Sequence, residues 1–166
     1  MERAEIHILE TVDWQFFGTF TFKSERLPER VRLALWFALL RTTSMWFRLY
    51  FPDLPWVLRQ EKGEIADRKH FHGLIGGFPQ HAVTPATCMS IKAQWEKLGG
   101  GMARVRVYDS ARHGENYILD CLGGADVYES SKFLGSNELM ISESVQRIAA
   151  ARHWRYGVVS SANCRG

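Results

Sequence analysis

Trp14-Gln15-Phe16-Phe17-Gly18-Thr19-Phe20-Thr21-Phe22 alternates as an extended chain does. Residues two apart in a strand share a face, so Trp14, Phe16, Phe20 and Phe22, with Gly18 among them, form an aromatic row, while Phe17, Thr19 and Thr21 form the opposite one. The stretch reads as a strand with one packed face, the aromatic row being core. Downstream, Pro28 stands near a first helical turn. Val31, Ala34, Leu35, Ala38, Leu39, Thr42, Met45, Trp46 and Leu49 then recur at three- and four-residue spacing, which predicts a long core helix.

Pro52 and Pro55 punctuate the next connection. Trp56 to Gln60 and His70 to Gly77 read as two strands joined by a charged loop from Lys62 to Lys69. Thr84 before Pro85 is an N-cap followed by a first-position proline, and the helix it opens runs through Trp95 to about Leu98, ending at Gly99-Gly100-Gly101. Met102 to Tyr108, with Val105 and Val107 alternating with Arg104 and Arg106, predicts another strand. A short helix is expected from about Arg112 to Leu122, closed by Gly123-Gly124. One strand is expected within Val127 to Ile141, then a helix near Glu143 to Arg152 with Ser142 as its cap. This order predicts an α+β domain spanning residues 1–166, with helices packed on an antiparallel sheet of about five strands.

The chain has 166 residues, 46% hydrophobic and 23% charged, enough for one domain with a core and far from disordered or fibrous composition. A formal charge of +3 is compatible with a polyanionic partner without identifying one. Cys88, Cys121 and Cys164 are odd in number and widely spaced, which argues against a disulfide framework or a thiolate zinc site. Met1 to Glu10 carries Glu2, Arg3 and Glu5 and does not read as a signal peptide, and the longest apolar stretch, Val31 to Phe51, is broken by Arg32, Arg41 and Arg48. The expectation is a soluble cytoplasmic protein with no membrane partner. No GxxxxGK[ST] loop is present, so no nucleotide cofactor is expected.

His70-Phe71-His72 lies on a predicted strand, where a period of two puts both imidazoles on one face. Glu61 ends the preceding strand, and antiparallel pairing brings that end beside His70. Two imidazoles and one carboxylate leave positions open for water and phosphate oxygens. The oxygen ligand favours Mn2+ or Mg2+, although imidazole also accepts Zn, Ni or Co. Glu64 and Asp67 in the loop are competing carboxylates. His81 and His153 read as surface residues. Arg104 and Arg106 form a one-faced basic pair, suited to solvent or to phosphate, and Phe17 is a candidate for stacking on a base.

Phe17-Gly-Thr-Phe-Thr-Phe22 on the first strand, His70-Phe-His-Gly-Leu-Ile75 on the third and Glu115-Asn-Tyr-Ile-Leu-Asp120 on a later helix resemble, in order and separation, the three short motifs of the HUH endonucleases. The match is to their rolling-circle replication initiators and covers roughly Trp14 to Leu122. The relaxase branch does not fit, because its nucleophilic tyrosine precedes the histidines and the first tyrosine here is Tyr50. The resemblance implies an RRM-like, palm-like sheet and a metal-dependent, site-specific nickase of single-stranded DNA or an origin hairpin. Carried over by position, His70, His72 and Glu61 hold the cation, Tyr117 is the nucleophile, and Thr19 with Thr21 lies beside the DNA and the metal site. Attack by Tyr117 implies a 5′-phosphotyrosine and a free 3′-OH, so that the same site rejoins ends. Four residues either side of Tyr117 stand His113 and Cys121, so only one tyrosine is offered; His113 is placed to orient its phenol. The chain departs from the family at Asp120, where lysine is usual, and Arg112, Lys132 or the metal is left to balance phosphate charge. The alternatives are a catalytically weakened origin-recognising or single-strand-binding module on the same fold, and a transposase of the same superfamily.

Overall fold

The computed structural model describes Leu9 and residues 11–62, 68–109 and 139–162, with side chains of the last helix as far as Arg152. Its elements are β1 (Trp14–Phe22), α1 (Glu29–Trp46), β2 (Trp56–Lys62), β3 (Lys69–Gly76), α2 (Pro85–Lys97), β4 (Gly100–Val107), β5 (Leu139–Ile141) and α3 (Glu143–Ala162), with short 3-10 turns at Phe51–Asp53 and Gln80–Ala82. The strands form one sheet in the order β4-β1-β3-β2-β5, and every neighbouring pair is antiparallel. The architecture is the expected α+β one, a five-stranded antiparallel sheet flanked by helices. The helix expected at Arg112 to Leu122 lies outside the described residues. Among those residues, no helix is long and apolar enough to cross a membrane.

Helix boundaries follow local chemistry. Thr84 caps α2, its hydroxyl accepting the Thr87 N–H at 3.2 Å, Pro85 fills the first helical position, and Gly99 at φ +102° ends the helix. The α1 helix stops at Trp46 although its apolar pattern continues to Leu49. The reason is a Schellman-type end: Leu49 N–H donates to Ser44 O at 2.9 Å, Arg48 N–H to Met45 O at 3.2 Å, and Arg48 takes φ 55° where glycine is usual.

The buried stripe of α1 is also rotated from the expected one. It comprises Arg32, Trp36, Leu39, Leu40, Thr43 and Ser44. Met45 and Trp46 are exposed and Ala34 faces solvent. Polar residues enter the core because each finds a partner. Arg32 donates to Gln60 Oε1 at 2.9 Å and to the Leu27 carbonyl, Thr43 to the Leu39 carbonyl at 3.0 Å, and Ser44 to the Arg41 carbonyl at 2.9 Å.

One sheet face packs against α1 and α2 through Phe16, Phe20, Phe71, Ile75, Trp36, Leu39, Ile91 and Trp95. Gly73 is required there, since a Cβ would meet the Trp36 indole at 2.5 Å. The opposite face holds a second cluster of Leu9, Val12, Trp14, Phe17, Val57, Leu74 and Val145. Trp14 therefore does not share a face with Phe16 as strict alternation requires. The register slips between Trp14 and Phe16, leaving Gln15 as a bulge residue that turns Trp14 over. The Gln15 side chain is fixed by Phe78, donating to its carbonyl at 2.8 Å and accepting its N–H at 2.7 Å.

The Ser142 carbonyl accepts the first helical N–H groups of α3, as a cap residue's does, while its hydroxyl accepts the Trp56 N–H of β2 at 3.0 Å and pairs with the Ser144 hydroxyl at 2.8 Å. Ser144 Oγ donates to Leu54 O at 2.9 Å. These bonds seat the start of α3 over one end of the second face. Glu61, His70 and His72 lie at the other end.

Candidate metal centre

Cross-strand register builds the site. Glu61 stands opposite His70 and Arg59 opposite His72 on the β2–β3 pair, while Thr19 stands between His72 and Arg104 across β3, β1 and β4. Because β3 is paired on both edges, its two imidazoles are held by backbone ladders and not by a loop. β2 runs to Lys62, two residues beyond the expected end, so Glu61 belongs to the strand.

Three atoms converge. His70 Nε2 and His72 Nε2 are 3.0 Å apart, and Glu61 Oε2 lies 3.1 Å from the His72 nitrogen and 3.4 Å from that of His70. The other ring nitrogens are both engaged, His70 Nδ1 with the Arg68 carbonyl at 3.2 Å and His72 Nδ1 with Thr19 Oγ1 at 3.1 Å. A carbonyl only accepts, so His70 Nδ1 carries a proton; with the ring neutral its Nε2 presents a lone pair, and with the ring protonated Nε2 donates to Glu61. This is how outer partners orient imidazole ligands. The Glu61 carboxylate is split in function: Oε2 faces the histidines and buried Oε1 forms an ion pair with Arg59 Nε at 3.2 Å without hydrogen-bond geometry.

The donor set fits a divalent cation. An ion about 2.1 Å from three ligands at right angles separates them by about 3.0 Å, close to the distances seen. Side-chain exposures of 5% for His72, 20% for His70 and 17% for Glu61 leave an approach from solvent on one side. Burial opposes ionisation of Glu61, but hydrogen bonds from His70 and His72, with the charges of His72 and Arg59, outweigh it and hold the carboxyl well below the usual carboxylate range. The bond to Glu61 raises His70 above its usual value against the effect of burial.

Of the other residues singled out from sequence, Thr19 touches the centre through His72. Thr21 does not: its hydroxyl donates to the Met102 carbonyl at 2.9 Å. Arg104 and Arg106 are exposed on β4, on the same face as the triad. Phe17 is not a free stacking platform, being 7% exposed, with the Arg106 guanidinium 4.8 Å from its ring centre and the His72 ring stacked at 6.1 Å. Tyr117, His113 and Asp120 lie outside the described residues, as do Glu64, Asp67, Arg112 and Lys132. Sequence reasoning missed Arg59. The period of two on β2 places it on the face of Glu61, and pairing with His72 follows from the same register. Comparison with protein-family models, curated proteins and solved structures finds no match to the chain.

Proposed function

We propose that the protein is a metal-dependent, site-specific nickase and strand transferase of single-stranded DNA, of the HUH kind, that initiates rolling-circle replication of a plasmid or virus. The observation that carries this reading is the convergence of His70 Nε2, His72 Nε2 and Glu61 Oε2 on the open end of an antiparallel sheet, with Thr19 behind His72 and two arginines on the same face. His70, His72 and Glu61 would hold Mn2+ or Mg2+, which supplies polarisation of the scissile phosphate and neutralisation of the charge that develops on it. A phenol with a pKa near 10 is a weak nucleophile and needs that help. In the reaction the Tyr117 oxygen forms a bond to phosphorus, the bond from phosphorus to O3′ breaks, the phenolic proton leaves to solvent or a nearby base, and the departing oxygen is protonated to a 3′-OH. The phosphotyrosyl ester retains the bond energy, so the reverse attack reseals the strand without ATP.

Asp120 favours a second reading, a single-strand-binding or origin-recognising module without strong chemistry, since a carboxylate stands where a cation would help a phosphodiester. Covalent chemistry separates the two. Incubation with a single-stranded DNA library and Mn2+, followed by denaturing electrophoresis, is expected to give a protein–DNA adduct that Tyr117→Phe abolishes while DNA binding stays within a few-fold. An adduct formed equally by Tyr117→Phe, or by the parent protein in excess EDTA, overturns the proposed mechanism; binding without any adduct selects the module.

A further inference from the structure

A groove of about 550 Å³ runs over the edge of β4, the outermost strand among the described residues. One wall belongs to the face of the triad and carries Thr19, Arg104 and Arg106. The other is helix α2, with Cys88, Met89 and Lys92. Among the described residues, three cations line it and no carboxylate does. Its floor is apolar, and Met89 stands 62% exposed at the rim. Thr19 is shared with the centre, its hydroxyl 3.1 Å from His72 Nδ1. The groove and the cation ligands are thus one side chain apart.

The chemistry of the lining selects its occupant. A basic rim over an apolar floor fits an aromatic base joined to phosphate, and the volume suits a nucleotide-sized group. A base stacked inside a duplex cannot turn over a strand edge, whereas an unstacked base of a single strand can. Arg106 offers a platform, since its guanidinium lies over Phe17 on one side and is exposed; a planar cation stacks on a base. Lys92, as a mobile point charge, suits a phosphate. We infer that this groove binds one unstacked nucleotide of the strand being cut, adjacent to the phosphate presented at the metal centre, and so contributes to sequence preference. The inference rests on the nickase reading for the identity of the strand.

The test is fluorescence anisotropy of a short fluorescein-labelled oligothymidylate in EDTA, where cleavage is silent. Lys92→Glu and Arg104→Glu are each expected to weaken binding about tenfold or more, and Met89→Trp, which fills the groove without changing charge, by a similar factor. Lys97→Glu, on the same helix but outside the groove, makes the same change in net charge and is expected to weaken binding less than about threefold. Equal effects of Lys92→Glu and Lys97→Glu, or parent-like binding by both Lys92→Glu and Met89→Trp, overturn the groove. Failure of the nickase reading looks different: no covalent adduct with Mn2+, while Met89→Trp still weakens binding of the oligonucleotide.

Discussion

The two faces of the sheet are built from the same strands to opposite ends. Toward α1 and α2, β1 and β3 present Phe16, Phe20, Phe71 and Ile75, each 1% exposed or less, with partly buried Phe22 packed at their edge. On the reverse, the same strands offer Phe17, Thr19, His70 and His72, and among the described residues the half under α3 is sealed by Leu9, Val57, Leu74 and Val145 while His70 stays part-exposed. The boundary runs through single peptide bonds: His72 faces the centre and Gly73, the next residue, faces Trp36. Rigidity on one side is thus what fixes ligand positions on the other, without any shared side chain.

Substitutions on either side break this comparison in different observables. The largest effect is expected from Trp36→Ala, which empties a fully buried site on the packed face and should cost about 3–5 kcal/mol in chemical denaturation. On the proposed nickase reading, His72→Ala should instead lower nicking more than about a hundredfold with little change in melting temperature, because it would open the coordination shell while leaving the aromatic core intact. A large loss of stability in that variant would show that the two faces are not separable. Gly73→Ala tests the seam: overpacking against Trp36 should cost about 1–3 kcal/mol, with activity per folded molecule retained. Arg48→Gly, far from both faces, should stabilise by about 0.5–1 kcal/mol, because a left-handed residue at the end of α1 no longer carries a Cβ.

Acidity sharpens the same contrast, since the titrating groups lie on one face. His70 is raised in the folded state, so its contribution is full below the usual 6.5 and fades as pH rises through the folded value. Glu61 is lowered, so its contribution is full above the usual 4.5 and fades as pH falls. The metal-free protein should therefore be most stable between about 4.5 and 6.5. Saturating Mn2+ should move that maximum upward, as the cation displaces the proton. A metal-free stability profile flat from pH 5 to 8 would remove the coupling of His70 to Glu61.

What the sequence made legible is what short-range patterns encode. The span of β1, the Thr84-Pro85 start of α2 and the meeting of Glu61 with His70 follow from periods of two and from capping chemistry. Trp14 was misplaced because a bulge has no signature in alternation. The stripe of α1 was misplaced because Arg32, Thr43 and Ser44 are buried by virtue of partners that only the folded chain supplies. Arg59 was overlooked although the period of two on β2 puts it on the face of Glu61; that it meets His72 there follows from the pairing of β2 with β3. The groove joins β4 to a helix on the far side of the sheet, and no local pattern connects them.

The pairing of β2 with β3 has a consequence for the order of assembly. Glu61, His70 and His72 all lie on this one hairpin, whose strands are joined by a short connection. The edges of the sheet close much larger loops, for example the Trp56–Ser142 bond spanning 86 positions. Closure entropy grows with loop length, so the hairpin that holds all three residues of the proposed centre is the least costly part of the sheet to form. The prediction is that Mn2+ accelerates refolding as well as slowing unfolding, acting on a transition state in which the ligands are already gathered. A cation that altered only the unfolding rate would place the gathering of the ligands after the barrier.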